Sequence, residues 1–120
     1  MSITVLQVRK DGWEKITLAS TIGGMVINTA GVTLAHGMEH PASGLKNIVH
    51  GQGLAALTPV IIEASYKGNR EKFSKIARIM GGMTAEDCAT KIRTLLRKLD
   101  LDCTLSDLGI KEEDIPWMAE

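Results

Sequence analysis

The stretch GQGLAALTPVIIEASYK, residues 51–67, decides the fold. Its apolar residues are distributed nearly all the way round a helix, and a helix of this kind is usually buried on every side. We therefore predict a central buried helix over residues 51–67. Pro59 lies inside it, and an internal proline either kinks a helix or marks the start of a second segment.

The residues before this stretch also have helical spacing. A first helix is predicted over residues 12–28, from apolar residues that recur every three or four positions. Residues 31–40 predict a short second helix. Pro41 should end it, because proline disfavours the helical conformation in the residue before it. Residues 42–49 then predict a loop that leads into the central helix.

Two further helices are predicted after the central one. Asn69 is a favoured capping residue for a helix that stops at residues 81–82, where two glycines follow one another. Thr84 and Asp87 have the spacing of a second helix N-terminus. The helix after them has apolar residues on one face and basic residues on the other, which indicates a solvated outer face.

Composition fits one helical domain with an aliphatic core. The chain has 120 residues, of which 44% are hydrophobic and only 3% are aromatic. Only residues 3–8 have the alternation of a strand. We therefore predict an all-α fold, a helical bundle that forms a single domain over residues 1–120.

Charge and cysteine content exclude several classes of function. Fourteen basic residues balance fourteen acidic ones, so the chain has no net field to attract nucleic acid or an anionic membrane. Cys88 and Cys103 are too few for a disulfide framework. The sequence has no signal-peptide pattern and no apolar run long enough to cross a membrane. These features predict a cytoplasmic protein.

All three histidines of the chain fall within fifteen residues, at His36, His40 and His50. His36 and His40 are four residues apart, so on a helix their rings share one face. His50 follows a loop long enough to return it to them. Imidazole binds Zn, Fe, Cu and Ni alike. From the residues alone, a metal site and a set of hydrogen-bonded core histidines both remain open.

The stretch His36-Gly37-Met38-Glu39-His40 also fits the H-x-x-E-H pattern of a zinc peptidase, with two histidine ligands and a glutamate that activates water. With only three fixed positions the pattern is weak. Its internal glycine and the following proline suit a long active-site helix poorly. A zinc peptidase is therefore a minor alternative.

Longer motifs resemble the iron-containing alcohol dehydrogenase family. Residues 30–41, followed by His50-Gly51, Ala55-Ala56-Leu57 and Pro59, resemble the second signature of that family. Residues 15–20 resemble the helix before the signature, and residues 105–116 resemble the family's "L-x-D-L-G-I … D-I-P" region. The resemblance covers nearly the whole chain.

The resemblance implies a fold and a set of roles. The fold is the C-terminal helical domain of dehydroquinate-synthase-like enzymes. Iron in the family is bound by one aspartate and three histidines, two of which correspond to His36 and His50. His40 corresponds to a histidine near the nicotinamide that takes part in proton movement. The implied chemistry is Lewis-acid activation of an alcohol by Fe²⁺, Zn²⁺ or another divalent metal, with hydride passing to NAD(P).

The sequence departs from the family pattern at several positions, and these departures change the function that we expect. The family's other two ligands form an Asp-x-x-x-His unit, which this chain does not contain. Glu39 stands where the family usually has a small residue, and Val49 where it commonly has proline. We expect a chain truncated at both ends and without its N-terminal cofactor-binding domain. It should be inactive alone, although the full-length enzyme would interconvert alcohols and aldehydes. The alternative is a non-enzymatic helical oligomerisation module, which persists as a homodimer or as an assembly partner.

Overall fold

The computed structural model describes residues 10–119, and all regular structure within them is helical. Short 3₁₀ turns cover Tyr66–Asn69 and Glu112–Asp114. The all-α prediction is confirmed for the described residues, whereas the strand-like residues 3–8 lie outside them. The α-helices of residues 10–119 are α1 (Lys10–Ala30), α2 (Leu34–Lys46), α3 (His50–Ser65), α4 (Arg70–Ile79), α5 (Asp87–Lys98) and α6 (Ile115–Ala119).

The chain divides after Thr33 into two compact units. The described part of the first unit consists of α1 and the residues that end it. Gly31 ends α1 with a φ of 71°, and its N–H donates to the Ile27 carbonyl at 2.9 Å. The first predicted helix is thus confirmed, two residues longer at each end. The prediction that residues 1–120 form one domain stays a prediction.

Helix α3 is the central helix of the second unit and packs against α2 and α5. The predicted central helix is confirmed, although Val60 is 52% exposed and faces outward. Pro59 is fully buried within α3, and the helix continues through it, so no separate segment starts there. The buried residues of α3 are Gly53, Ala55, Ala56, Leu57, Pro59 and Ile62.

The hydrophobic core lies where α3, α4 and α5 meet. Cys88 from α5 is fully buried there, and this burial raises the pKa of its thiol. Phe73 is the one aromatic residue at its border, so the core is aliphatic as predicted. The buried members are Ile62, Ala77, Cys88 and Ala89, with Phe73, Ile76 and Ile92 packed against them.

Helix α2 corrects the predicted end of the second helix. It continues past Pro41 to Lys46, so the loop predicted over residues 42–49 is reduced to residues 47–49. An internal proline costs a helix about 3 kcal/mol. Tertiary contacts offset this cost, because Ala42 is fully buried. The Ser43 side chain also hydrogen-bonds Glu39 one turn earlier, across the proline.

Helix α4 begins as the sequence predicts. The Asn69 side chain accepts a hydrogen bond from the Lys72 N–H at 3.1 Å, so the predicted cap is confirmed. Before α5, the Asp87 carboxylate accepts from the N–H groups of Met83 and Thr84, each at 2.8 Å. Glu86 is the residue next to the start of α5. The Thr84–Asp87 pair therefore closes the preceding turn rather than capping the helix.

The same turn chemistry recurs twice in the C-terminal segment. The N–H of Thr104 donates to Asp107, and the N–H of Lys111 donates to Asp114, each at 2.8 Å. In each case the backbone donor holds the pKa of the carboxyl group below its ordinary value. Lys46 also pairs with Asp114 at 3.2 Å, which ties the end of α2 to this segment.

Within the described residues, no single helix is both long enough and apolar enough to cross a membrane.

Candidate metal centre

The structure brings the three histidine rings together. Helix α2 places His36 and His40 one turn apart, and α3 begins with His50. Asn47 makes the sharp return between the helices with a φ of 52°, a conformation that asparagine tolerates better than most residues. The ring centroids lie 5.2 Å apart for His36 and His50, 5.6 Å for His40 and His50, and 5.9 Å for His36 and His40.

Glu39 is a fourth member of this cluster, and it is fully buried. Its carboxylate accepts hydrogen bonds from His50 Nδ1 and from the Ser43 hydroxyl, one to each oxygen. The Ser43 hydroxyl also lies 3.0 Å from the Ile48 carbonyl, and its single proton serves one acceptor at a time. A carboxyl group buried this deeply needs such partners, because an unpaired one is strongly destabilised.

Sequence reasoning missed this role of Glu39. It treated the residue as the glutamate of a peptidase pattern and as a departure from the family. One signal was available: a glutamate sits between two histidines in the least charged part of the chain. If such a glutamate is buried, its carboxylate needs a hydrogen-bonding partner that is also inside the fold.

Gly53 provides the space that the Glu39 side chain occupies. A Cβ atom at Gly53 would lie 2.7 Å from Glu39 Cγ and 2.8 Å from Glu39 Oε1. Carbon atoms in contact are ordinarily about 3.5–4.0 Å apart. Glycine is therefore required at this position as long as residue 39 is glutamate in this conformation.

The contact with Glu39 sets the chemistry of the His50 ring. An ionised Glu39 can only accept hydrogen bonds, so Nδ1 then donates to it and a neutral His50 ring has its lone pair on Nε2. The His50 side chain is 50% exposed, so the ring is accessible from solvent. A buried anchor on one nitrogen and a free second nitrogen is the arrangement typical of metal-binding histidines.

The separation of the His36 and His50 rings is compatible with one shared ion. A metal–nitrogen bond of about 2.1 Å plus about 1.1 Å to the ring centre, at a tetrahedral angle, separates two centroids by about 5.2 Å. The His36–His50 pair has this separation, whereas the pairs that include His40 are wider. The residues present therefore fit a divalent ion. The ligand roles of His36 and His50 stay predictions.

A different grouping of ligand atoms is also present. Glu39, His40 and His50 each offer one atom within 4.8 Å of the others. His36 is not part of this grouping, and its choice over His40 as the partner of His50 is what the family resemblance implies. Both oxygens of Glu39 already accept hydrogen bonds and its side chain is closed off from solvent, so we do not assign the carboxylate as a ligand. The same two facts disfavour a zinc peptidase, in which the glutamate must reach a water molecule.

A separate apolar cavity of about 320 Å³ lies between α2 and the C-terminal segment. Met38 contributes to it from α2, but none of the three histidines lines it. It is therefore distinct from the histidine cluster. Its other lining residues are Leu105, Ser106, Ile110, Lys111, Glu112, Ile115, Met118 and Ala119.

The fold is all-α, and three imidazoles are grouped where α2 meets α3. The chain is therefore a helical domain with a candidate metal centre. The chain belongs to the Fe-containing alcohol dehydrogenase family, whose C-terminal part matches residues 6–120. The resemblance in the signature segments is thus confirmed at the level of the family.

Individual relatives agree with this assignment. The chain is 36% identical over 115 residues to a 1,3-propanediol dehydrogenase of Klebsiella pneumoniae, covering 89% of this chain and 30% of that protein. It is 33% identical over 119 residues to a lactaldehyde reductase of Escherichia coli K12, covering 92% and 31%.

A solved structure has the same fold. The crystal structure of a 1,3-propanediol oxidoreductase superimposes with a TM-score of 0.81 at 35% identity, covering 91% of this chain and 31% of that one. The predicted C-terminal helical domain is confirmed. The chain spans about 30% of the length of the curated relatives it matches.

Proposed function

We propose that this chain is the metal-binding helical part of an NAD(P)-dependent alcohol dehydrogenase that interconverts alcohols and aldehydes. The family assignment and the names of the relatives support this proposal. The observation that carries it is the meeting of His36, His40 and His50, with ring centroids 5.2–5.9 Å apart. No other part of the described chain groups so many imidazoles, since these are its only histidines.

Each histidine has a distinct role in the proposal. His36 and His50 hold the divalent ion, whether Fe²⁺, Zn²⁺ or another metal. When bound, that ion supplies Lewis acidity toward the alcohol oxygen. His40 is exposed beside them and moves a proton to or from solvent.

By itself the chain should bind metal weakly and should not oxidise alcohols. It offers two imidazoles of the proposed ligand set and contains no Asp-x-x-x-His unit. A site with two protein ligands leaves the remaining positions to water. NAD(P), the alcohol or aldehyde and the cofactor-binding domain are partners of the complete enzyme. We place that enzyme in the reducing cytoplasm, where free thiols such as Cys88 and Cys103 persist.

Titration calorimetry with Co²⁺ and Zn²⁺ on the full chain tests the ligand roles. We expect one ion per chain, with binding lost or strongly weakened in His36→Ala and in His50→Ala. His40→Ala is the matched control, because it removes a neighbouring imidazole that the proposal does not use as a ligand. Metal binding that depends on His40 and not on His36 would contradict the assignment.

An activity measurement tests the second part of the proposal. The metal-loaded chain is mixed with NAD⁺ or NADP⁺ and with 1,3-propanediol or 1,2-propanediol, and the absorbance of the reduced nicotinamide is followed. We expect no turnover. Alcohol oxidation by this chain alone would show that the two-imidazole site is sufficient, and the proposal would then be wrong on this point.

A second candidate function is self-association through α1, as a helical module without catalysis. Large apolar residues along α1 are about half exposed or more, and exposed apolar surface of this kind drives association. These residues are Trp13, Ile16, Leu18, Ile22, Met25, Val26 and Ile27.

A further inference from the structure

We propose that Glu39 is a positioning residue, which holds the proton of His50 on Nδ1 and thereby keeps Nε2 free to bind a metal. This inference rests on the proposed function, because it deepens the account of the same site.

Burial makes the Glu39 carboxylate a fixed acceptor. Its side chain is completely excluded from solvent, so water cannot replace a lost partner. His50 Nδ1 occupies one oxygen and the Ser43 hydroxyl occupies the other. Because Ser43 lies on α2 with Glu39, the carboxylate is held to its own helix on one side and is aimed at α3 on the other.

Gly53 completes the arrangement from the side of α3. Its missing Cβ leaves the volume in which Glu39 Cγ and Oε1 lie, at 2.7 and 2.8 Å from where that atom would be. His50 and Gly53 are both on α3, less than one turn apart. The same helix thus supplies the donor to the carboxylate and the space for it.

A direct ligand role for Glu39 is the competing assignment. It would use the carboxylate oxygen that now accepts from His50, and His50 Nδ1 would then lose its partner. The two assignments differ in the metal-free chain. A positioning residue fixes the His50 tautomer before any metal arrives, whereas a residue that acts only as a ligand does not.

Histidine ring tautomers are measured by long-range ¹H–¹⁵N correlation spectra of the metal-free, ¹⁵N-labelled chain, at a pH where the rings are neutral. We expect His50 to carry its proton on Nδ1 in the parent. In Glu39→Ala the proton should move to Nε2. Glu39→Gln keeps the shape of the side chain and should lower the fraction of His50 with its proton on Nδ1, since a neutral amide oxygen accepts more weakly than a carboxylate and the amide nitrogen can instead donate to Nδ1. His36 and His40 are internal references.

Metal affinity provides the second readout. We expect Glu39→Gln to bind Co²⁺ about 10- to 100-fold more weakly than the parent, the usual effect of removing a residue that orients a metal ligand. Gly53→Ala pushes the carboxylate aside, and its affinity for Co²⁺ should lie between the affinities of Glu39→Gln and the parent. Gly51→Ala is the matched control on the same helix, because a Cβ there meets nothing within 4 Å. It should bind as the parent does.

The outcomes separate this inference from the proposed function. If the His50 proton is on Nε2 in the parent, or stays on Nδ1 in folded Glu39→Gln and Glu39→Ala, the positioning role is wrong. If the parent binds Co²⁺ no better than His36→Ala, the proposed metal site is wrong while the tautomer result still decides the role of Glu39. Circular dichroism confirms helical folding of each variant, and Glu39→Gln remains informative if Glu39→Ala does not fold.

Discussion

At the scale of single residues, the second unit depends on a buried acid that fits into a helix groove made by a glycine. Glu39 is fully buried, and the Gly53 backbone approaches it closely. Two residues in such contact do not act independently, so the effect of changing one depends on the identity of the other. The coupling can be measured as stability, apart from any metal.

A double-mutant cycle should expose this coupling. Gly53→Ala adds a methyl group to an occupied space and should lower the free energy of unfolding by about 1–3 kcal/mol. In a Glu39→Ala background the space is vacant, so the same substitution should be neutral or stabilising, because alanine favours a helix over glycine by about 1 kcal/mol. Urea unfolding followed by circular dichroism measures both.

Gly51→Ala serves as the reference for helix propensity alone, since nothing lies within 4 Å of its added methyl group. Equal stabilities of Gly53→Ala and Gly51→Ala in the parent background would show that Glu39 does not fill the space at Gly53.

At the scale of elements, local rules predicted the start of α4 but not the end of α2. Asn69 has its partner three residues away on the same helix, so the sequence alone determines that cap. Pro41 disfavours helix locally, yet α2 continues because Ala42 is fully buried in the folded chain. Propensity fails where burial against another helix outweighs it.

The Asp87 turn before α5 should lose its stabilising effect on the folded protein at acid pH. The backbone N–H groups of Thr84 and Met83 donate to this carboxylate and hold its pKa below the ordinary value. The unfolded chain then binds more protons than the folded chain as pH falls below about 4. The contribution of Asp87 to stability is therefore complete above its ordinary pKa and is lost as pH falls through the lowered one.

Asp87→Asn tests this pH dependence. The free energy of unfolding of the parent minus that of the variant should be constant near neutral pH and should shrink below about pH 4. Asp107→Asn should behave in the same way, because Asp107 accepts from the backbone N–H of Thr104. A difference that does not change between neutral and acid pH would exclude this role.

At the scale of the whole molecule, sequence reasoning predicted the all-α fold, the central helix and the family, since these depend on periodicity and on motifs longer than one element. It also predicted that the three histidines meet. It gave no structural role to Glu39 or to Gly53. The two residues lie on different helices, α2 and α3, and the Glu39 side chain occupies the volume that a Cβ at Gly53 would need. No spacing rule in one dimension encodes such a contact between two helices.

The exposed apolar residues of α1 indicate that the chain self-associates in solution. Leu18 and Met25 are 60% and 64% exposed and lie seven residues apart, on one face of the helix. We expect the chain to self-associate as its concentration rises, as measured by light scattering. Leu18→Glu with Met25→Glu should suppress association by placing charge on this face.

Asn28→Glu is the control for added charge, because Asn28 is an exposed residue on the polar face of α1 that also carries Thr17 and Thr21. It should associate as the parent does. A chain that stays monomeric at every concentration would count against α1 as an association surface.

The close fit of Glu39 against Gly53 also has an evolutionary consequence. Relatives that carry an acid at the position of Glu39 should carry glycine at the position of Gly53, since any larger residue would collide with it. Lineages with a small residue at the first position are free to acquire a side chain at the second. The two sites should therefore change together across the family, and this covariation can be read from aligned sequences alone.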